Sequence, residues 1–208
     1  MLDAIETIKC KGGYSVELHY DDCPESPREW DNLGTIYSNS RRYDFDRHSI
    51  EELIEDVGGN IYDSVIPWDK IAKKYYYRKV WMYDHSGVTV RTGEENPWGS
   101  GWMSWDSGLA GVIVCDKKRA CKEYGYKKPC KSLQERVEKV LDGEIEDLDT
   151  YVRGEIYGYK VFDADDNKID SCWGFYSREE AISEGKAVAD YQYEQNNGKE
   201  LFPEGEEE

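Results

Sequence analysis

Apolar and polar residues alternate along several stretches of the chain with the two-residue period of a β-strand. Residues 14–20 and 155–162 each place apolar or aromatic side chains at alternate positions, and residues 169–175 return as a further strand after a turn. Each alternating stretch therefore predicts a half-buried strand. The polar segment 163–168 lies between the last two, so these two strands are predicted to form a hairpin across an Asp-rich turn.

A second hairpin is predicted in the middle of the chain. Residues 80–83 and 88–90 read as short strands, and the turn residues 84–87 between them end in a glycine that accepts a positive φ. Farther along, residues 109–115 form a continuous apolar run. Such a run, without alternation, indicates a strand that is buried on both faces.

Helices are predicted where the apolar period changes to three or four residues. Three Ser-x-x-Glu capping boxes, at Ser49, Ser132 and Ser177, mark helix starts. They predict helices to about residue 57, over 132–152 and over 177–194, and two shorter helices follow Pro67 and Asp116. Strands and helices mix without strict βαβ order, which predicts an α+β fold, an antiparallel sheet with several helices packed on it.

The whole of residues 1–198 is predicted to form a single α+β domain, because no linker or internal repeat interrupts it. Residues 199–208 end in Glu204-Gly-Glu-Glu-Glu, which is typical of an acidic, flexible tail. Aromatic residues make up 13% of the chain. This content supplies the core that acidic disordered chains lack.

Charge changes the functional picture more than composition does. The chain has 44 acidic and 27 basic residues, a formal net charge of −17. This excess argues against binding nucleic acid through its phosphates, which requires Lys and Arg. The acidity lies at the two ends, because residues 61–130 carry a net +4 while residues 131–208 carry −13. The charge therefore favours a basic protein partner, or a soluble monomer that repels other copies of itself.

The chain shows no sign of membrane insertion or export. No apolar run approaches the roughly 18 residues of a membrane span, and residues 1–10 lack the basic and apolar regions of a signal peptide. The six cysteines are accordingly expected to be reduced thiols in a cytoplasm.

Motifs for common chemistry are missing. The sequence contains no Walker A loop, GxSxG, HExxH or GxGxxG motif. We therefore expect no cofactor, and a role other than catalysis is favoured. The basic segment 117–131, with Tyr124 and Tyr126 interleaved, has a composition that can bind nucleic acid. A solvated helix face is the preferred interpretation, so direct nucleic-acid binding is not expected.

Four motifs together resemble a family of bacteriophage and mobile-element proteins of unassigned function. The resemblance spans about residues 14–190. The motifs are PREWDNLGT from Pro27, YDHSGVT from Tyr83, WDSG from Trp105 and DSCWGFY from Asp170. It implies a phage context and no particular mechanism.

Charge and resemblance together predict an acidic, phage-encoded accessory protein that inhibits a host defence nuclease. The target would be a CRISPR nuclease or a restriction enzyme in the bacterial host cytoplasm, and inhibition would act by protein binding or by nucleic-acid mimicry. The helix 132–152 is the predicted binding surface, with helix 177–194 second. The predicted partner-binding residues are Glu135, Glu138, Asp142, Glu144, Glu146, Asp147 and Asp149.

An alternative hypothesis is a metal-dependent enzyme or a small-ligand binder. Asp44, Asp46 and His48 alternate, so on a strand they would share one face, and Asp84 and His85 would add a carboxylate and an imidazole. Convergence of these five residues would favour this hypothesis over the first. The loop interpretation of the same residues places their carboxylates beside neighbouring arginines instead.

Overall fold

The computed structural model describes residues 3–40, 42–63 and 65–200. The chain divides into two compact units: unit 1 contains residues 1–25 and 154–208, and unit 2 contains residues 26–153. The expected single domain over 1–198 stays a prediction, because compact units do not reveal whether they fold independently. From position 201 onward, the predicted tail lies outside the described residues.

The predicted α+β class is confirmed. Nine strands are described: β1 (Glu6–Lys9), β2 (Ser15–Tyr20), β3 (Thr35–Ser38), β4 (His48–Ser49), β5 (Tyr75–Asp84), β6 (Val88–Thr92), β7 (Ser107–Asp116), β8 (Tyr157–Phe162) and β9 (Lys168–Phe175). Five α-helices accompany them: α1 (Ile50–Asp56), α2 (Trp68–Lys74), α3 (Lys117–Glu123), α4 (Lys131–Val152) and α5 (Arg178–Glu200). The strands form two sheets rather than one.

Unit 1 is a four-stranded antiparallel sheet in the order β1-β2-β8-β9. Val16 pairs with Val161 at the centre of this sheet, and both are fully buried in a cluster with Ala189 of α5. Gly185 lets the helix approach closely, because a Cβ there would lie 2.6 Å from Val16 Cγ1. Helix α5 therefore covers one face of this sheet.

Unit 2 is built on a five-stranded sheet in the order β4-β3-β7-β5-β6. All its pairings are antiparallel except the two-residue pairing of β3 with β4. Strand β7 is central and buried on both faces, as its apolar run predicts. Ile113 and Cys115 join the cluster of α4, while Val112 and Val114 join the cluster of α1 and α2. The sheet is thus sandwiched between helices.

Two of the three predicted capping boxes begin helices as expected. Ser49 Oγ accepts the backbone N–H of Glu52, and Ser177 Oγ accepts that of Glu180. The prediction that Ser132 caps the remaining helix is wrong. Helix α4 begins at Lys131 with Cys130 as the N-cap residue, and no side chain caps it there.

Gly143 lies inside α4, which runs through it without a break. A Cβ at this position would meet nothing within 4 Å. We expect Gly143→Ala to raise the free energy of unfolding by about 0.5–1 kcal/mol, because alanine loses less backbone entropy in a helix. Urea denaturation followed by circular dichroism measures the change.

Gly125 provides the control for this substitution. It also has open space, but its φ of 70° is one that alanine disfavours. Gly125→Ala should lower the stability. A Gly143→Ala protein no more stable than the wild type would show that helix propensity does not limit α4.

Candidate acidic binding surface

Five of the seven predicted partner-binding residues lie along one side of α4. They follow one another at intervals of three or four residues, which places them on neighbouring turns. This set, called the α4 stripe, extends over about 21 Å along the helix axis. It consists of Glu135, Glu138, Asp142, Glu146 and Asp149.

Three members of the α4 stripe reach solvent: Glu135 and Glu146 are exposed, and Glu138 is partly buried. Glu135 has a side chain that is 65% exposed, with only a long ion pair of 3.7 Å to Lys131. Glu138 accepts a hydrogen bond from Gln134 on the same helix, and Glu146 is exposed. These three carboxylates can meet a cationic surface with little rearrangement.

The other two members of the stripe hold the sheet of unit 2. Asp142 accepts a hydrogen bond of 2.8 Å from Arg78 Nε on β5. Asp149 accepts from Thr89 Oγ1 at 2.5 Å and from the backbone N–H of Val90 at 2.8 Å. These carboxylates are committed to internal contacts, so the stripe is not a continuous row of free charges.

Glu144 and Asp147 do not belong to the stripe, so the seven residues do not lie on one side of α4, and their role in partner binding stays a prediction. Glu144 is turned inward, where only 10% of its side chain is exposed. Asp147 is half-buried, and burial followed by the neighbouring charge of Glu146 raises the pKa of its carboxyl. The helical period explains the first case, because Glu144 falls on the same side as Leu141 and Leu148.

Glu144 belongs to a buried ionic cluster centred on Arg28. The guanidinium donates to both oxygens of Asp46 at 2.8 Å and to Glu144 Oε2 at 3.0 Å, and it also donates to the carbonyl of Gly34. The side chains of Arg28, Asp46 and Glu144 are 5%, 12% and 10% exposed. The cluster combines two carboxylates with one guanidinium.

The two carboxylates of this cluster also accept hydrogen bonds from backbone N–H groups. Glu144 accepts from the N–H groups of Leu33 and Gly34, and Asp46 accepts from that of Ile36. Burial opposes the charge on Arg28, but the hydrogen bonds and charges of its two carboxylate partners outweigh it and raise its pKa. The cluster therefore fixes the segment before β3 to helix α4 and has no free group for chemistry.

The five residues of the alternative hypothesis are not brought together into one site. Asp46 belongs to the buried cluster. Asp84 accepts from Tyr43 Oη at 2.8 Å and pairs with Arg42, while His85 Nδ1 lies 3.1 Å from Asp106. Across the described ranges, no three His, Cys, Asp or Glu side chains are arranged to hold a metal ion.

Asp44 and His48 do line one polar cleft of about 460 Å³. His48 Nδ1 is already 2.9 Å from Glu52, so the imidazole is partly engaged within unit 2. The lining residues are Ser38, Asn39, Ser40, Asp44, His48, Ser49 and Glu51. Of the five residues predicted to converge, Asp44 and His48 are thus the two that line this cleft.

Several residues of the basic segment 117–131 make contacts within unit 2. Lys117 donates to the carbonyl of Ala72 and lies over the ring of Tyr76. Tyr124 and Tyr126 pack against the core instead of standing free, and the guanidinium of Arg136 covers the ring of Tyr124 at 4.3 Å. The interleaved aromatic rings are thus largely occupied.

Charge is distributed very unequally between the two units. Unit 1 contains 21 acidic and 7 basic residues, a net charge of −14, whereas unit 2 contains 23 and 20, a net of −3. The acidic residues of α4 are therefore offset within their own unit. In unit 1, helix α5 exposes Glu179, Glu180, Glu184 and Glu194.

Comparison with known proteins identifies no relative: no family model, no curated protein and no solved structure matches the chain. Within the part of the chain that the structure describes, no helix combines the length and apolar character needed to cross a membrane. Any proposal for the function of this protein therefore rests on its fold, its charge distribution and its sequence motifs.

Proposed function

We propose that this protein binds and inhibits a basic, nucleic-acid-processing partner through an acidic surface. The observation that carries the proposal is the net charge of −10 that unit 1 carries over its described residues, 3–25 and 154–200, with 17 acidic and 7 basic side chains. A compact body with such an excess attracts a positively charged surface over several ångströms and speeds its encounter. The resemblance to phage and mobile-element proteins favours a host defence nuclease as that partner.

The charge distribution favours α5 as the main binding surface and the α4 stripe as a second one. The α5 carboxylates belong to a unit with few compensating cations, whereas unit 2 is nearly balanced. Two of the five stripe carboxylates are also bound internally. Both features favour protein binding by an acidic face over mimicry of a long row of phosphates.

Paired charge reversals test the surface. Glu184→Lys with Glu194→Lys changes two exposed residues of α5, and Glu135→Lys with Glu146→Lys makes the matched change on α4. Glu51→Lys with Glu55→Lys on α1 is the control, because these two are exposed helical carboxylates of unit 2 as well. We expect the α5 variant to lose about tenfold or more in affinity, the α4 variant to lose less and the control to change little.

The measurement begins with immobilised protein and a bacterial lysate freed of nucleic acid. A nuclease retained at low salt should be released at high salt, and its DNA cleavage should slow when the wild-type protein is added. Retention of no nucleic-acid-processing protein contradicts the proposal. An equal loss of affinity in all three variants would show that binding is unspecific charge attraction. That result would also contradict the proposal.

A further inference from the structure

A cleft of about 520 Å³ in unit 2 combines aromatic walls with acidic side chains. Trp68 of α2 and Trp81 of β5 line it, and the segment after β6 contributes Glu94 and Glu95. Val65, which is 73% exposed, lies among the apolar lining residues. Lys79 contributes one positive charge against the two carboxylates, so the cleft carries a net charge of −1.

One half of this cleft already holds a cation of the chain itself. The ammonium of Lys79 lies 5.3 Å from the centroid of the Trp68 ring. It also lies 3.0 Å from the carbonyl oxygen and 3.3 Å from Oε2 of Glu94. Trp68 stacks in addition on Tyr77 at 5.6 Å, so its ring is occupied. An aromatic ring and a nearby carboxylate therefore bind a cation together in this cleft, as Trp68 and Glu94 do for Lys79.

The cleft has a second aromatic wall, Trp81, and a second carboxylate, Glu95. The indole of Trp81 is oriented by a hydrogen bond of 2.9 Å from Nε1 to the carbonyl of Gly93. Glu95 is exposed and lines the same cleft as Trp81. Seven aromatic rings among the described residues have a Lys or Arg side chain over them. The ring of Trp81 is not one of these seven.

We propose that this cleft, which Trp81 and Glu95 both line, binds an arginine or lysine side chain of the partner protein. This inference rests on the proposed function, which supplies a partner with a basic surface. The cleft is open to solvent, so a cationic side chain on the surface of another protein can enter it. Contacts between the two proteins around the cleft then add to the binding. A guanidinium fits best, because it stacks on an indole and donates to a carboxylate at once.

N-acetyl-arginine amide is the probe for this site, and N-acetyl-citrulline amide is its neutral counterpart of the same shape. The indole N–H signals of the protein are followed by NMR, and Trp81→Phe identifies the Trp81 signal. We expect a saturable shift of that signal with the arginine probe and binding about two- to fivefold weaker with the citrulline probe. Glu95→Gln should weaken the arginine probe similarly, whereas Glu29→Gln, an exposed residue outside the cleft, should not.

Equal affinity for the two probes, or a Trp81 signal that does not move, would overturn this inference. Its failure is separable from that of the proposed function. If the arginine probe binds at Trp81 but no nuclease is retained from the lysate, only the proposed function fails. If a nuclease is retained and released by salt while the probe leaves Trp81 unchanged, only the cleft inference fails.

Discussion

Arg28→Met should lower the free energy of unfolding by about 3–5 kcal/mol, because it leaves the carboxylates of Asp46 and Glu144 buried without their cation. Urea denaturation measures the change. Arg42→Met is the matched control. Arg42 also pairs with a carboxylate, Asp84 at 3.2 Å, but its side chain is 76% exposed. The control should therefore lose less than about 1 kcal/mol.

Two further variants keep this prediction testable if Arg28→Met does not fold. Arg28→Lys should remain strongly destabilised, because one ammonium cannot reproduce the fork that reaches Asp46, Glu144 and the Gly34 carbonyl together. Glu144→Gln should lower the free energy of unfolding less than Arg28→Met does, because the amide oxygen can still accept from the backbone N–H groups of Leu33 and Gly34. A stability for Arg28→Lys equal to the wild type would show that the cluster acts through charge alone and would contradict its geometry.

Gly111→Ala should lower the free energy of unfolding by about 1–3 kcal/mol through overpacking. Gly111 lies on the central strand β7, opposite Ser38 of β3. A Cβ there would press on the carbonyl oxygen of Tyr37, and it would lie 3.1 Å from Cα of Ser38. Both are backbone atoms, so the methyl group can be accommodated only by moving β3 away from β7.

Gly108→Ala is the control on the same strand. A Cβ at Gly108 would meet nothing within 4 Å, so its effect should stay within about 0.5 kcal/mol. Thermal unfolding of both variants gives the comparison. Equal melting temperatures for the two variants would mean that the close approach of β3 and β7 does not limit stability.

Local pattern predicted most of the elements of this fold. The alternation over 14–20 and 155–162 became β2 and β8, and the apolar run 109–115 became the doubly buried β7. These elements succeeded because their period and burial are written in neighbouring residues. The capping box at Ser132 failed because the helix starts one residue before it, and a box motif alone does not exclude an earlier start.

The candidate surface was predicted less well, because the fate of a charge depends on residues far away in the chain. Arg28 and Glu144 are 116 residues apart, and no local pattern reports their contact. One signal was present all the same: Glu144 occupies a position between Leu141 and Leu148 on the apolar side of α4. A charged residue at such a position indicates a buried partner more often than a binding surface.

The division of the chain also governs the order in which the protein can be completed during synthesis. Unit 2 is one continuous segment, whereas the sheet of unit 1 pairs β2 with β8 across the whole of unit 2. Closing so long a loop is slow compared with forming local contacts. All of unit 2 is synthesised before β8, β9 and α5 are available to complete the sheet of unit 1. The sheet of the strongly acidic unit 1 can be completed only after unit 2 has been synthesised, so a chain truncated at residue 153 would lack that sheet.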